Sequence, residues 1–218
     1  MKDNRFKILK EFYQELKDCL QGFKKEKLLI SEIYQGTVAI YILNLIQGYV
    51  ILIEEGNSVA ARVLIRTALE ACFKLFAVQC SPENLAGIAS KELEEDLKQM
   101  RLLNQKSSEL ANEQKNFDDL LKRLQREHPE LTFSKKRLSA IEAAQACNIE
   151  SAYQVYYRLY SKHTHAAFRA AKGDFDVLKE HDNKPMCLAS VIAANALAGL
   201  GASIPDLKEL IKKFESVA

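Results

Sequence analysis

Residues 36–53 read GTVAIYILNLIQGYVILI, and every residue between Glu32 and Glu54 is uncharged. This run is long enough to cross a bilayer as a single helix. It nevertheless contains polar side chains at Asn44 and Gln47, and the rest of the chain does not repeat the pattern. The sequence therefore favours a helix that is apolar nearly all round and buried in the middle of a helical bundle, with a transmembrane helix as the alternative.

The composition of the whole chain favours an all-α protein. Among 218 residues, 48% are hydrophobic and 28% are charged, while eight glycines and four prolines leave few positions for the tight turns of an all-β fold. Five cysteines stand singly without C-x-x-C spacing, which is typical of reduced thiols in the cytoplasm. The charged start MKDNRFK shows no signal peptide. We therefore expect a single cytoplasmic domain over residues 1–218 that does not use a membrane.

Apolar residues at three- and four-residue steps predict further helices on both sides of the central run. Residues 6–23 carry the first amphipathic pattern. Ser81 and Pro82 are typical of a helix start, with serine as the N-cap and proline at the first helical position. The charge-rich residues 82–128 then predict two helices with a break near Ser107, which we interpret as a projecting hairpin. The predicted fold is an all-α bundle around a buried apolar helix, with a projecting charged helical hairpin.

Three shorter segments complete the predicted helices. The basic residues 135–137 are expected to open a short helix that ends at Cys147. Pro185 is expected to start a segment of small apolar residues, which suits close helix packing or a self-association surface. Residues 207–214 carry the last amphipathic pattern.

The helix predicted after Ser58 carries two opposite charges among apolar residues. Arg66 and Glu70 are four residues apart and therefore neighbours on one face, which Val63 and Phe73 share. A charge in such surroundings has to be paired whatever its function. Arg66 and Glu70 therefore either satisfy each other within the bundle or orient a functional face beside them.

The candidate functional face lies in residues 153–172, YQVYYRLYSKHTHAAFRAAK. If this stretch is one α-helix, Arg158, Ser161 and His165 fall on one stripe, and His163 points nearly the opposite way. His163 and His165 would splay about 160° apart, which does not suit a metal. The chain also has no glycine-rich phosphate loop and no G-x-S-x-G elbow. We therefore predict neither a metal nor a cofactor.

The shared stripe of Arg158 and His165 suits acid–base chemistry on RNA. A histidine can move a proton at the 2′-hydroxyl or at the leaving oxygen, and an arginine can stabilise charge on the phosphate. These are the functions that a metal-independent ribonuclease needs. The net charge of +2 neither indicates nor excludes RNA binding.

Two short motifs resemble those of an all-helical bacterial family of unknown function. The recurring marks of that family are an Arg-x-x-x-Glu helix and a later Tyr-x-x-x-Ser-x-x-x-His helix. Arg66 and Glu70 match the first mark, and Tyr157, Ser161 and His165 match the second. The resemblance implies that these five residues belong to one site.

Arg158 and His165, with six residues between them, also resemble the Arg-x4–6-His signature of HEPN ribonucleases. Arg158 and His163, with four residues between them, fit the same signature. HEPN ribonucleases are all-helical proteins of bacterial toxin and antiphage systems that usually act as dimers, so the resemblance implies a homodimer that cleaves RNA. The chain departs from the usual pattern at Leu159, where that family has Asn, Asp or His.

Two hypotheses follow from these patterns. The first is a HEPN-like ribonuclease or antiphage effector in which Arg158 and His165 are catalytic, supported by Ser161, Tyr157, Arg66 and Glu70. The alternative is a non-catalytic helical module that binds a protein partner and holds Arg66, Glu70, Tyr157, Ser161 and His165 as a buried network. Exposure discriminates between them, because a catalytic site must reach solvent or a cleft.

Overall fold

The computed structural model describes residues 4–21, 28–103, 107–134, 136–157, 160, 183–202 and 212. Every regular element within these residues is a helix and none is a strand, which confirms the predicted all-α fold. The helices are α1 (Asn4–Gln21), α2 (Ile30–Glu54), α3 (Ser58–Cys80), α4 (Glu83–Leu102), α5 (Ser107–Glu127), α6 (Ala140–Ala146), α7 (Glu150–Ala152), a π-helix (Tyr153–Tyr157) and α8 (Asn183–Gly199). Of the last predicted helix, only Lys212 lies among the described residues, and it is helical.

The chain divides into two compact units. The first comprises the described residues of Met1–Glu26, Gln35–Cys72 and Ser151–Ala218, and the second comprises those of Lys27–Tyr34 and Phe73–Glu150. Each unit buries apolar side chains of its own, and each is described separately.

In the first unit, α2 buries one face only. Ile42 and Ile46 are fully buried and Tyr49 is 1% exposed, whereas Ile40 and Tyr41 are 46% and 47% exposed. The exposed residues recur at three- and four-residue steps, as one side of an α-helix does. The prediction of a helix buried in the middle of the bundle is therefore confirmed for one side of α2 and wrong for the other. The physical reason is that neighbouring helices cover only part of the circumference of α2, which composition does not reveal.

Among the described helices, α2 alone is long and apolar enough to cross a membrane by length and composition, and 33% of its most apolar window is buried. Core helices of water-soluble proteins meet the same criterion. The exposed side of α2 also carries Asn44 and Gln47. The Tyr13 hydroxyl on α1 donates a hydrogen bond to the Gln47 side-chain oxygen at 2.8 Å, which gives this polar group a partner within the bundle.

Small side chains let α2 approach its neighbours in the first unit. A Cβ atom at Gly48 would lie only 2.9 Å from Cδ1 of Leu64 on α3, so a larger residue would require the Leu64 side chain to move. The Tyr49 hydroxyl donates a buried hydrogen bond of 2.7 Å to the side-chain oxygen of Asn183, the first residue of α8. α8 also packs against α1. Pro185 lies in the first turn of α8, close to its predicted position.

In the second unit, α4 and α5 pack against each other as the two arms of the predicted hairpin. α4 begins at Glu83, whose backbone N–H donates to the Ser81 hydroxyl oxygen at 3.3 Å, and α5 begins at Ser107. Phe117 and Leu124 are the buried residues of α5, and most of its other side chains reach solvent. The charge-rich sequence therefore folds as helices with a narrow apolar stripe, as predicted.

The described residues directly before α6 are not helical, although a helix was predicted there. The Leu138 backbone N–H donates to the Gly87 carbonyl at 3.0 Å, and a Cβ at Gly87 would lie 2.8 Å from the Lys136 carbonyl oxygen. α6 starts only at Ala140, because Ser139 is its N-cap. The prediction that residues 135–137 open this helix is therefore wrong for the described positions 136 and 137.

Candidate functional site

Three charged side chains form a row along α3, which we call the α3 charge row: Arg62, Arg66 and Glu70. They are four residues apart and therefore share one helical face. Arg62 is 1% exposed, and Arg66 and Glu70 are half-buried. α3 begins where the Asn57 side-chain oxygen accepts the Ala60 backbone N–H at 3.1 Å. The row thus has a fixed spacing on a capped helix.

Tyr157 ends a π-helical turn. The short helix α7 continues as a π-helix over Tyr153–Tyr157. The sequence predicted one α-helix from Tyr153 onwards, so the prediction is wrong for this turn. A π-helical turn changes which side chains share a face, and such turns are frequent at functional sites. The rings of Tyr153 and Tyr157 stack, with centroids 4.7 Å apart and planes inclined by 22°.

The Tyr157 hydroxyl links the α3 charge row to the π-helix. Nη2 of Arg66 donates to the Tyr157 hydroxyl oxygen at 3.4 Å, and that hydroxyl donates to Oε2 of Glu70 at 3.3 Å. The Arg66 guanidinium also lies over the Tyr157 ring, 5.6 Å from its centroid. Such a cation–π contact contributes roughly 0.5–1 kcal/mol at an exposed site and more when it is desolvated.

These contacts define what the cluster can do chemically. Arginine and aromatic side chains together suit nucleic acids, because guanidinium groups bind phosphate and aromatic rings stack on unpaired bases. Arg66, Glu70 and Tyr157 are each half-buried, so the cluster lies at the boundary between core and solvent. The stacked pair of tyrosines and the two hydrogen bonds hold Tyr157 in one orientation.

The structure brings together three of the six residues predicted for the site. Arg66, Glu70 and Tyr157 are in contact although Tyr157 is 91 and 87 residues away from them along the chain. The predicted catalytic residues Arg158 and His165 lie outside the described residues, as do Ser161, His163 and Leu159. Their roles therefore stay predictions.

Sequence reasoning missed Arg62 as a member of the row. Its signal was present, because Arg62 stands four residues before Arg66 in an otherwise apolar stretch. It also missed the stacking of Tyr153 on Tyr157, although the two residues are four apart in the sequence. Within the part of the chain that the structure describes, no three His, Cys, Asp or Glu side chains are grouped so that they could hold a metal ion.

Comparison with known proteins gives one match. The model of a family of unknown function, DUF5677, matches residues 36–185. This range contains the α3 charge row, the π-helix and all six residues predicted for the site. No curated protein and no solved structure matches the chain.

Proposed function

This chain belongs to the DUF5677 family of unknown function, and we propose from its own residues that it is a HEPN-like, metal-independent ribonuclease. In this proposal Arg158 and His165 carry the reaction. Tyr157, Arg66 and Glu70 position the segment that contains them. The substrate class is single-stranded RNA, whose phosphates and unstacked bases match the guanidinium and aromatic groups of the cluster.

The observation that carries the proposal is the position of the Tyr157 hydroxyl between Arg66 and Glu70. Tyr157 immediately precedes Arg158 in the chain, so these contacts anchor the backbone that leads into the proposed catalytic residue. Catalytic groups need such a rigid support, because small displacements lower the rate steeply. The half-buried position of the cluster agrees with a site that substrate can reach.

The proposed reaction is an internal transfer at phosphorus. The 2′-oxygen of the ribose forms a new bond to phosphorus while the bond from phosphorus to the 5′-oxygen breaks. The 2′-hydroxyl loses a proton and the leaving 5′-oxygen gains one, and His165 moves a proton at one of these two oxygens. Arg158 stabilises the negative charge that accumulates on the phosphate oxygens.

The second candidate is a non-catalytic module that binds a protein partner. The observation in its favour is that both hydrogen-bonding functions of the Tyr157 hydroxyl are used within the chain, while Arg62 is 1% exposed. Hydrogen-bonded polar networks of this kind are common in purely structural roles. The same contacts then fix a helical surface rather than an active site.

The deciding experiment measures RNA cleavage by Arg158→Ala and His165→Ala variants with a chelator present. We expect each substitution to lower cleavage by about 100-fold or more, the usual contribution of a general acid or base, at an unchanged melting temperature. His163→Ala is the matched control, because it tests the other histidine that fits the Arg-x4–6-His spacing. It should lower the melting temperature more than the activity.

Three outcomes would contradict the ribonuclease proposal. They are cleavage that survives both substitutions, cleavage that a chelator abolishes, and no cleavage at all by a protein shown to be a dimer. The first and third would leave the protein-binding module as the better account. Loss of activity in His163→Ala alone would move the catalytic histidine from 165 to 163.

A further inference from the structure

One exposed face of α5 carries a row of positive charges. Lys115, Lys122 and Arg126 follow one another at steps of seven and four residues and therefore share one side of the helix, which we call the α5 basic stripe. All three residues are exposed. Eleven residues of an α-helix extend over about 16 Å, so the stripe offers several cations in line to an extended ligand.

An acidic residue, Asp119, lies on the same face between Lys115 and Lys122. Nζ of Lys122 donates to Oδ1 of Asp119 at 3.0 Å. This hydrogen bond and the charge of Lys122, followed by the charges of Lys115 and Arg126, lower the pKa of the Asp119 carboxyl group. The carboxylate thus lies in the field of all three cations, and the positive charges of this face outnumber its negative charge.

Most of the positive charge of the stripe is available to a ligand. Of its three cations, only Lys122 forms an ion pair within the part of the chain that the structure describes. Nε of Arg126 donates to the Lys122 backbone carbonyl oxygen at 3.4 Å, which leaves the two terminal nitrogens of this guanidinium for other acceptors. The neighbouring Arg123 differs, because its Nε donates to the Glu127 carboxylate at 2.9 Å.

The C-terminal end of the stripe borders an open groove of about 600 Å³, whose lining residues are Asp119, Lys122, Gln125 and Arg126. The Gln125 side-chain amide donates to the Leu131 carbonyl oxygen at 3.1 Å and ties this wall of the groove to the turn that follows α5. Sites for small ligands have volumes of about 300–1,000 Å³. The groove is therefore large enough for a group of the size of a nucleotide.

We propose that the α5 basic stripe binds the phosphate backbone of single-stranded RNA. The choice of this ligand rests on the proposed ribonuclease function, and the inference assigns substrate binding to residues outside the cluster around Tyr157. Lysine and arginine side chains neutralise phosphates and release the counterions that had condensed on the strand. Such contacts carry no sequence information, so the stripe contributes affinity to any RNA strand.

The composition of α5 favours a nucleic acid over a lipid surface. Helices that lie on membranes carry large apolar residues opposite their basic ones and insert them into the lipid. In α5, Phe117 and all the leucines are buried or half-buried within the protein. The exposed face continues towards the N-terminus with Asn112 and Ser108, whose side chains can hydrogen-bond to phosphate and sugar oxygens.

The other arm of the hairpin, α4, provides a matched set of charges. Lys91, Lys98 and Arg101 also follow one another on one side of a helix. Glu94 and Glu95 lie among them, and Lys91 is paired with Glu95 at 2.9 Å. Cations that already face carboxylates have less positive charge to offer to phosphates. We therefore expect the α4 set to contribute little to RNA binding.

The test measures the binding of a fluorescently labelled, unstructured single-stranded RNA by fluorescence anisotropy at several salt concentrations. Each protein is the full chain with His165→Ala, so that the proposed reaction does not cut the probe. Replacing Lys115, Lys122 and Arg126 together by glutamine should weaken binding by about 10-fold or more at 0.1 M salt. It should also flatten the slope of log affinity against log salt by about 2, since each lost phosphate contact accounts for about 0.7.

Two further variants separate charge from other effects of substitution. Asp119→Asn removes the carboxylate from the stripe and should strengthen binding by about 2- to 5-fold. The α4 variant, with Lys91, Lys98 and Arg101 replaced by glutamine, loses the same charge as the stripe variant and should change the affinity by less than about 2-fold. Circular dichroism of each variant checks that it is folded.

Four results would overturn the inference: no RNA binding at all, equal binding by the two triple variants, no gain in Asp119→Asn, or a stripe that binds anionic phospholipid vesicles and not RNA. Failure of the proposed ribonuclease is recognised separately, in cleavage assays without His165→Ala. Cleavage together with unchanged binding by the stripe variant would reject the stripe alone. Stripe-dependent binding without any cleavage would reject the ribonuclease alone.

Discussion

The Tyr157 hydroxyl group contacts two side chains of opposite charge at once. It accepts a hydrogen bond from Arg66 and donates one to Glu70, and its ring lies under the Arg66 guanidinium. A half-buried charge that loses such a partner is only partly compensated by water. The hydroxyl group of Tyr157 therefore contributes to the stability of the protein through its hydrogen bonds, in addition to the contacts of the ring.

Tyr157→Phe removes that oxygen and keeps the stacked ring. We expect the free energy of unfolding to fall by about 0.5–1.5 kcal/mol, the usual net contribution of a hydrogen-bonding group. Tyr156→Phe is the matched control, because the structure records no hydrogen bond of the Tyr156 hydroxyl within the described residues, and it should change stability little. Urea denaturation of both variants measures the difference. Equal effects of the two substitutions would contradict the role assigned to Tyr157.

Ser139→Ala tests the cap of α6 and its pH dependence. At neutral pH we expect a loss of about 1 kcal/mol of unfolding free energy, as is typical for N-cap serines. The Ser139 hydroxyl and backbone N–H donate to the Glu142 carboxylate at 2.6 and 2.7 Å and lower its pKa below the ordinary 4.5. A carboxyl group with a lowered folded-state pKa contributes stability above its unfolded value and loses it as the pH falls through the folded value.

The gap in stability between Ser139→Ala and the unsubstituted protein should therefore narrow as the pH falls below 4.5. Thermal unfolding at neutral pH and at a series of acidic pH values measures the gap. Glu142→Gln is the control, because the glutamine side chain does not titrate. The difference in stability between Glu142→Gln and the double variant Ser139→Ala/Glu142→Gln should therefore stay constant with pH. A gap that stays constant as the pH falls would show that the carboxylate does not take part in the cap.

At the scale of single helices, the burial of each residue in α2 depends on which side of the helix it occupies. Its composition is nearly uniform in apolarity, yet Ile42 is fully buried and Ile40, two residues earlier, is 46% exposed. Two residues along an α-helix are about 200° apart, so adjacent isoleucines of the same run can face opposite environments. Their different burial predicts different energetic contributions.

Ile42→Ala and Ile40→Ala form a matched pair. We expect Ile42→Ala to cost about 2–5 kcal/mol of unfolding free energy, through lost burial and the cavity that remains. Ile40→Ala removes the same atoms from a half-exposed position and should cost well under 1.5 kcal/mol, partly offset by the higher helix propensity of alanine. Chemical denaturation measures both. Comparable losses at the two positions would mean that the exposed side of α2 is covered in solution.

At the scale of the whole molecule, the central question is whether the apolar run lies in a water-soluble bundle or crosses a membrane. The first unit uses one side of α2 as core, and the opposite side mixes apolar residues with Asn44 and Gln47. Polar side chains facing hydrocarbon are costly. We therefore predict that the full chain is recovered in the soluble fraction without detergent.

Fractionation of expressing cells by ultracentrifugation, with immunodetection in both fractions, measures this distribution. Recovery only in the membrane fraction would contradict the prediction.

Sedimentation of the purified protein tests the expected homodimer, which stays a prediction from the HEPN resemblance. A cytoplasmic location stays a prediction as well.

The local features of the sequence were sufficient for much of the fold. Apolar spacing and Ser-Pro at residues 81–82 predicted the hairpin helices, because helix formation and termination depend on neighbours within a few residues. The four-residue spacing of Arg66 and Glu70 likewise predicted one shared face. The basic residues before α6 led to a wrong prediction of where this helix starts, because the N-cap at Ser139 sets the start instead.

The sequence by itself therefore determined the helices α1 to α5 and the helical face that Arg66 and Glu70 share, since both follow from periodicity along the chain. Only the tertiary structure decided which side of α2 is buried, that the backbone forms a π-helix at Tyr153–Tyr157, and that Tyr157 meets Arg66. These features depend on contacts between segments far apart in the chain, whose packing energy no local pattern of residues encodes.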